Sequence, residues 1–551
     1  VLNSVLKIRR RTKRRERKMD KKRNSAVTEK TQLYVVGGGI AGLSAAVFAI
    51  RDAHIPGKNI HIFEVLDVLG GALDGSGSAE TYYVSRGDRK FNLEVFQCLW
   101  DVLSAVPSLT DPDKSVKDEI FEYNQTHKKN ARSRLIDKNR KVDNVTTMGL
   151  NWAHRIKMFL LIFVPENWIE NRRIDSWFSP PFFETNFWKV FSSMFAIEYW
   201  NDLVEMKRYM RRFMHDFHRM VQGAGEVVTP YHNYDSIVMP ITKWLKEKGV
   251  NFEMGCKVTN LDFKPSSDEI TVSKIYYTQK GQPKEIGVNE QDYVFVTNGS
   301  MTADSTRGSM TDVPALETRK LDGSWSLWEN IAKKKPGLGN PSVFNSHIDE
   351  SKWMTFAITS KDPTFFKLYE QFTGNKPGQA DMVTFKDSNW HMSILVPHHP
   401  HFMNQPKDVY LWGGCGLVPD KPGNYVNMEM SECSGRDILT EVCHHFGFEK
   451  ELPRILETST CITQMMPYEM SHFLPRKKSD RPKVVPDGST NLAFMGQFVE
   501  SDECVMLVES SVRTGKMAVY SLLDVDKKVP PVYTGVHNPI AGARVLATVL
   551  K

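Results

Sequence analysis

The sequence predicts an α/β protein: a discontinuous Rossmann-like domain, a mixed, helix-rich second domain inserted into it, and a C-terminal helical segment. Three observations predict it. Leu33 to Glu64 reads as strand, glycine turn, helix, strand and acid. A second buried-looking strand, Tyr293-Val294-Phe295-Val296-Thr297, ends in Asn298-Gly299-Ser300. A third, Asn491 to Phe498, contains Gly496 and leads into a helix over Val512–Leu523.

The first unit sets the chemistry. Gly37-Gly38-Gly39-Ile40-Ala41-Gly42 supplies G-x-G-x-x-G between a strand and a run of good helix formers. Gly37 allows a sharp turn, Gly39 allows close approach of a pyrophosphate, and Gly42 allows the helix to pack on the strand. The free N–H groups at the helix start, around Ile40 and Ala41, attract phosphate. Glu64 stands about 20 residues on, the spacing of a carboxylate that holds ribose hydroxyls. This stretch alone does not separate FAD from NAD. Gly70-Gly71-Ala72-Leu73-Asp74-Gly75, followed by Arg86 and Arg89, fits flavoproteins better than simple dehydrogenases. The expected cofactor is therefore FAD, held by Gly37, Gly39, Ile40, Ala41, Gly42, Glu64, Gly71, Ala72, Arg89, Val258, Ser300 and Gly496.

The expected division is a basic tail (1–30), FAD-binding segments 31–105, 236–320 and 491–525, a helical insertion 106–235, a substrate domain 321–490 and a terminal segment 526–551. Phe91–Val106, Asn186–Trp200, Glu205–Met220 and Val238–Lys248 have helical spacing. Residues 260–290 alternate like a hairpin, and Asp387–Ile394 reads as a strand. Val545–Lys551 is modestly amphipathic, as in a surface helix.

At 551 residues the chain can bury several cores, and its composition is that of a globular protein, with 41% hydrophobic and 25% charged residues. The net charge of +7 belongs to one tail. Residues 1–24 carry twelve Lys or Arg against Glu16 and Asp20, so the rest of the chain has a net charge of −3. Such a run is solvated, and without interleaved aromatics it argues against nucleic-acid recognition. The chain begins with Val, and Met19 is the expected start of translation. Seven scattered cysteines without C-x-x-C speak for reduced thiols in a cytoplasmic protein. No secretory signal and no 18-residue apolar run is present. His398, His399 and His401 lie among prolines without partner acids and read as a polar loop, so no metal site is expected.

Several stretches together resemble one family. They include VVGGGIAGLSAAVF (35–48), IRDAHIPGKNIHIFE (50–64), GGALDG (70–75), CLWDVLSAVPSL (98–109), NFWKVFSSMFAIEYW (186–200) and EMKRYMRRF (205–213). GSWSLWENIA (323–332), KDSNW (386–390) and DRPKVVPDGSTNLAFMGQFVES (480–501) continue the series in the same order. The sequence resembles the oleate hydratases, also called the myosin-cross-reactive antigen family. The resemblance implies FAD-dependent addition of water to the cis-9 double bond of a free unsaturated fatty acid, without net redox. It allows peripheral membrane contact and a homodimer.

By periodicity Tyr209 is a core-facing tyrosine; the resemblance gives it the role of proton donor. The family's water-orienting glutamate follows R-G-G-R, whereas this chain reads Arg86-Gly87-Asp88-Arg89-Lys90. Lys90 stands at the glutamate position and carries the opposite charge, and Asp88 is the substitute candidate. Leu507-Val508 replace polar threonines often found in the family. Asn233 and Asn389 fall in motifs associated with the fatty acid carboxylate. Two rival functions remain open at this point: a flavin oxidoreductase or isomerase acting on an apolar substrate, and a non-catalytic FAD- or fatty-acid-binding protein.

Overall fold

The computed structural model describes residues 27–535 except 144, 146, 224 and 381. The basic run 1–24, Met19 and the helix expected over 545–551 lie outside the described residues.

A parallel sheet of five strands organises the chain. Its strands are β1 (Leu33–Val36), β2 (Ile60–Phe63), β3 (Asn251–Glu253), β4 (Tyr293–Thr297) and β5 (Leu492–Met495), in spatial order β5-β4-β1-β2-β3. All four neighbouring pairs are parallel. The central strands are near-continuous apolar runs because helices cover both faces. The order reverses between β1 and β4, and ligands bind at such a switch point, beyond the carboxyl ends of the strands.

Helix α1 (Ile40–Arg51) follows β1 directly. Gly37 has φ +104°, a conformation that favours glycine. A Cβ on Gly42 would meet the Gly37 carbonyl and approach Val35 Cγ1 to 2.9 Å, so only glycine lets helix and strand lie this close.

The second layer system is an eight-stranded mixed sheet. Trp353–Ser360 lies at its centre, antiparallel to both Tyr410–Gly416 and Ser459–Met466. Helices α2 (Trp152–Phe163), α3 (Asn186–Phe195) and α4 (Leu203–Arg212) form an aromatic layer. Phe187, Phe191 and Phe195 of α3 pack there with Tyr209 and Met210 of α4. Helix α5 (Val508–Leu522) returns to the parallel sheet, and its Gly515 sits against the Ala41 carbonyl of α1.

Several expected elements are shorter or differently built. The helix expected over 91–106 is a two-residue strand, Phe91–Asn92, and a helix restricted to Gln97–Leu103. Asn92 Oδ1 accepts from the N–H groups of Glu94 and Val95, and this local turn displaces the first helical turns. The helix expected to run on to Met220 ends at Arg212 and continues as a 3-10 segment, Met214–Gln222. The one expected over 186–200 stops at Phe195, where Ala196 turns left-handed. The one expected over 238–248 is preceded by a π-helical turn, Tyr234–Val238, and runs as Met239–Glu247. The hairpin over 260–290 is a three-stranded antiparallel sheet beginning at Cys256. The strand expected over 387–394 is confined to Met392–Leu395, after a turn in which His391 has φ +48°.

Candidate active site

Two cavities meet in the interior. The first, of about 910 Å³, opens over the carboxyl ends of β1 and β4. Gly37, Gly39, Ile40, Ala41, Glu64, Gly71, Ala72, Arg89, Val258, Ser300 and Gly496 all line it. Gly42 does not; it is spent on the close packing of α1. The N-terminal residue of α1 has no side-chain cap, so the first N–H groups of the helix remain for a ligand. A Cβ built on Gly39 would stand 3.7 Å from Gly71 Cα, so the two glycine clusters face one another across the cradle. Glu64 Oε2 accepts from Gly38 N–H at 2.9 Å and Oε1 from Leu66 N–H at 3.0 Å. Burial raises its carboxyl above the usual range against these two donors. Thr297 Oγ1, buried and without a hydrogen-bond partner among the described residues, also belongs to this wall. The donor set and the shape suit a pyrophosphate-linked dinucleotide.

The second cavity, of about 250 Å³, is mainly apolar. Phe195, Tyr209 and Phe213 form one side, and Trp353, Phe356 and Trp412 of the mixed sheet another. Arg89, Met506 and Val508 line both cavities and mark where they join.

Tyr209 is fully buried. Its ring stands edge-on to Phe195 at 4.9 Å and to Phe473 at 5.8 Å. Its hydroxyl oxygen accepts the Met506 N–H at 3.1 Å, which leaves the phenolic hydrogen available to a neighbour. Burial, reinforced by Cys504 and Glu205, raises the phenol well above its ordinary value, so the group stays protonated; the Met506 N–H works the other way.

The loop 86–90 forms the polar end. Arg86 pairs with Asp74 at 2.6 Å and donates to the carbonyls of Thr302 and Gly71, which braces the loop. Arg89 pairs with Glu469 at 3.1 Å, and burial pushes that carboxyl up to about 7 against the guanidinium. Lys90 Nζ lies 2.9 Å from Asp88 Oδ2, and both residues line the apolar cavity. Burial alone would raise the Asp88 carboxyl, but the Lys90 ammonium beside it holds it well below the usual range. Asp88 Oδ1 has no hydrogen-bond partner among the described residues.

His401 also lines this cavity, a position the sequence reading as a polar loop did not anticipate. It is buried, and burial holds its imidazole well below the ordinary value, hence neutral. His398 Nε2 instead meets the Pro230 carbonyl, and His399 Nε2 that of Lys407. The ligating atoms of Asp88, His232 and His401 lie within 4.8 Å of one another. The two nitrogens of His232 are engaged by Tyr234 N–H and Ser85 Oγ, and Lys90 already supplies a cation to Asp88. No local signal in the sequence pairs His401 with a loop more than three hundred residues earlier.

The two asparagines line neither cavity. Asn233 is buried, accepts from Arg89 N–H at 2.6 Å and donates to Thr229 Oγ1, so it fixes the loop. Asn389 is exposed, and its amide donates to the Pro422 carbonyl. Met506 was not singled out by the sequence either, since its role is played by a backbone N–H.

Fold and site define the class: a Rossmann-like α/β protein in which a dinucleotide-shaped cradle opens into an apolar chamber. The chain belongs to the MCRA family, whose model matches residues 30–520. It is 36% identical over 517 residues to an oleate hydratase of Streptococcus pyogenes serotype M49 (strain NZ131), covering 92% of this chain and 87% of that protein. It is 30% identical over 534 residues to a linoleate hydratase of Lactiplantibacillus plantarum, covering 89% and 93%. Cyclohexylamine oxidase from Brevibacterium oxydans IH-35A shares the fold, with a TM-score of 0.53, 11% identity and coverage of 90% and 99%.

Proposed function

We propose that this chain is a hydro-lyase that adds water across the cis-9 double bond of free long-chain unsaturated fatty acids, oleate to 10-hydroxystearate, without net redox. Two relatives named as hydratases support the reaction class. The observation that carries the reading is Tyr209, a protonated phenol in an apolar chamber, with its oxygen held by Met506 N–H beside the dinucleotide cradle.

An isolated alkene is a poor base. Its hydration needs a positioned acid at one carbon and an oriented water at the other, in a chamber that excludes bulk solvent. Tyr209 is the proposed acid; the Met506 N–H steadies the charge left on its oxygen. Asp88 is the proposed water-orienting group, because it is ionised and Oδ1 has no hydrogen-bond partner among the described residues; it takes the proton that the attacking water loses, and that proton is returned to the Tyr209 phenolate to close the cycle. Lys90 acts through Asp88 as its counter-ion. FAD is the proposed cofactor of the first cavity, held by the glycine clusters, Glu64, Ser300 and Gly496. When bound, the flavin orders the adjoining wall and contributes to its field.

A second reading is favoured by the Lys90–Asp88 pair: a family member that binds FAD and fatty acid without turnover. Incubation with oleate in oxygen-18 water, with reduced FAD, followed by mass spectrometry separates the two. The expected product is a hydroxy acid carrying the label. Binding of both ligands without labelled product supports the non-catalytic reading, and an unlabelled ketone or shifted double bond supports an oxidoreductase or isomerase.

A further inference from the structure

Arg86 and Arg89 enter the interior from one loop, and each meets a carboxylate there. The two pairs are built differently. Both oxygens of Asp74 are taken by Arg86, Oδ1 by Nε at 3.0 Å and Oδ2 by Nη2 at 2.6 Å. Glu469 uses only Oε1, which accepts from Arg89 Nη2 at 3.1 Å. Its Oε2 is buried and has no hydrogen-bond partner among the described residues. Other carboxylates of the site are committed: Glu64 accepts from two backbone N–H groups, and Asp88 lies against Lys90.

The Arg89–Glu469 pair stands behind one end of the cofactor cavity. Glu64 and the facing glycine clusters suit the adenosine and pyrophosphate of FAD, which leaves the end at Arg89, Met506 and Val508 for the flavin ring. Glu469 lines neither cavity, so it acts on that end through Arg89. With Arg86 on Asp74 and Arg89 on Glu469, the four side chains sum to zero charge. The other titratable groups around Glu469 come from its own turn. Burial, then Arg481 and Arg89, keep His472 neutral, and both its ring nitrogens are buried without a partner among the described residues. Burial also keeps the Tyr468 phenol protonated. Asp304 and Asp322 line the same cavity.

We propose that Glu469 is a positioning residue for the cofactor's charge: it takes up one proton when bound FAD is reduced, and Arg89 then balances the added negative charge. This rests on the reading that the first cavity holds FAD. Reduction by an external two-electron donor puts two electrons and one proton on FAD, which makes it more negative by one charge. In a buried, neutral site that charge is costly. A second proton, drawn from solvent onto Glu469 Oε2, restores neutrality and leaves the Arg89 guanidinium to face the new charge. Glu469 is the carboxylate that accepts a proton at least cost, because Oε2 gives up no hydrogen bond in doing so. Burial already brings this carboxyl up to about 7, and a negative charge nearby moves it further in the same direction.

The test is the reduction potential of FAD bound to the full chain, titrated with dithionite against reference dyes between about pH 7.5 and 8.5. The parent is compared with Glu469→Gln and His472→Asn, with FAD content and melting temperature as controls. Each proton taken up per two electrons contributes about 30 mV per pH unit. The potential of the parent should fall by about 60 mV per pH unit and that of Glu469→Gln by about 30 mV, while His472→Asn follows the parent. A parent slope of about 30 mV would overturn the proposal. So would a steep slope kept by Glu469→Gln, or one lost in His472→Asn, which would assign the proton to the imidazole. If Glu469→Gln does not fold, the reduced-minus-oxidised infrared spectrum of the parent decides. It should gain the C=O band of a protonated carboxyl, and a spectrum without that band would overturn the proposal. A parent that binds no FAD would overturn the cofactor reading itself, whereas bound FAD with the shallow slope overturns only the role of Glu469.

Discussion

Tyr209 combines two properties that pull in opposite directions. Burial makes the phenol a weaker acid, while in the proposed reaction the Met506 N–H and an apolar chamber would favour delivery of its proton to a carbon. Tyr209→Phe removes the proton and leaves the ring packing. It should lower turnover by about 10²- to 10⁴-fold. Flavin binding, read by absorbance, should be unchanged, since Tyr209 does not line the first cavity. A variant with parental turnover would remove Tyr209 from the mechanism. Gly42→Ala works at the same scale through sterics. The added methyl meets the Gly37 carbonyl. The expected cost is about 1–3 kcal/mol of stability, together with weakened flavin retention, as the displaced turn carries the phosphate-facing N–H groups. Normal flavin content and melting temperature would contradict that packing argument. Periodicity put Tyr209 in a core, and the glycine spacing announced Gly42's contact. Neither could show that a backbone N–H from residue 506 meets the phenol.

At the scale of elements, the loop 86–90 shows why a single substitution can mislead. Read linearly, Lys90 is a cation in place of a family glutamate. In the fold it is half of an ion pair with Asp88, and the pair is held by Asn233 at Arg89 N–H and by Arg86 on Asp74. Lys90→Glu alone sets two carboxylates side by side at a largely buried site. It should cost about 1–3 kcal/mol and give no gain in turnover. Asp88→Gly/Lys90→Glu removes the conflict and rebuilds the R-G-G-R-E pattern; its turnover on oleate should exceed that of the single variant and of the parent. If the double variant is no faster than the parent, the loop change is not a deficit. Helix α4 teaches a related lesson. Its charged residues look like a solvated face, yet Glu205, Lys207, Arg208 and Arg212 are buried. Arg212 pairs with Glu503 at 2.7 Å, and Glu205 with Arg481 at 3.2 Å. Helical periodicity identifies an apolar stripe but cannot tell water from an ion partner on the other side.

The whole molecule stores pH dependence in buried groups far apart in sequence. Burial lowers His398 to about 4 and His401 and His472 well below their ordinary value. A histidine with a depressed folded-state value binds its proton first in the unfolded chain. Its contribution is therefore fully present above pH 6.5 and is lost as pH falls from there, through about 4 for His398. Glu469, raised to about 7, acts in the opposite sense, and stability gained from it falls as pH rises from the ordinary carboxylate range to about 7. Melting temperatures between pH 7 and 4 should therefore be less acid-sensitive in His398→Asn/His472→Asn than in the parent. Parallel curves would show that these imidazoles do not govern acid stability.

By itself the sequence determined the Rossmann-like unit, with its glycine turn and Glu64 at one cavity, and membership of the family. The glycine turn and Glu64 depend on neighbours within about thirty residues, where spacing translates directly into geometry, and the family shows in the order of stretches along the chain. Only the tertiary structure decided that Arg89, Met506 and Val508 join two cavities, that His401 reaches the loop of Asp88, and that Asn389 lies outside. These depend on strands and helices hundreds of residues apart being brought together by burial, which acts on the chain as a whole and leaves no local spacing to read.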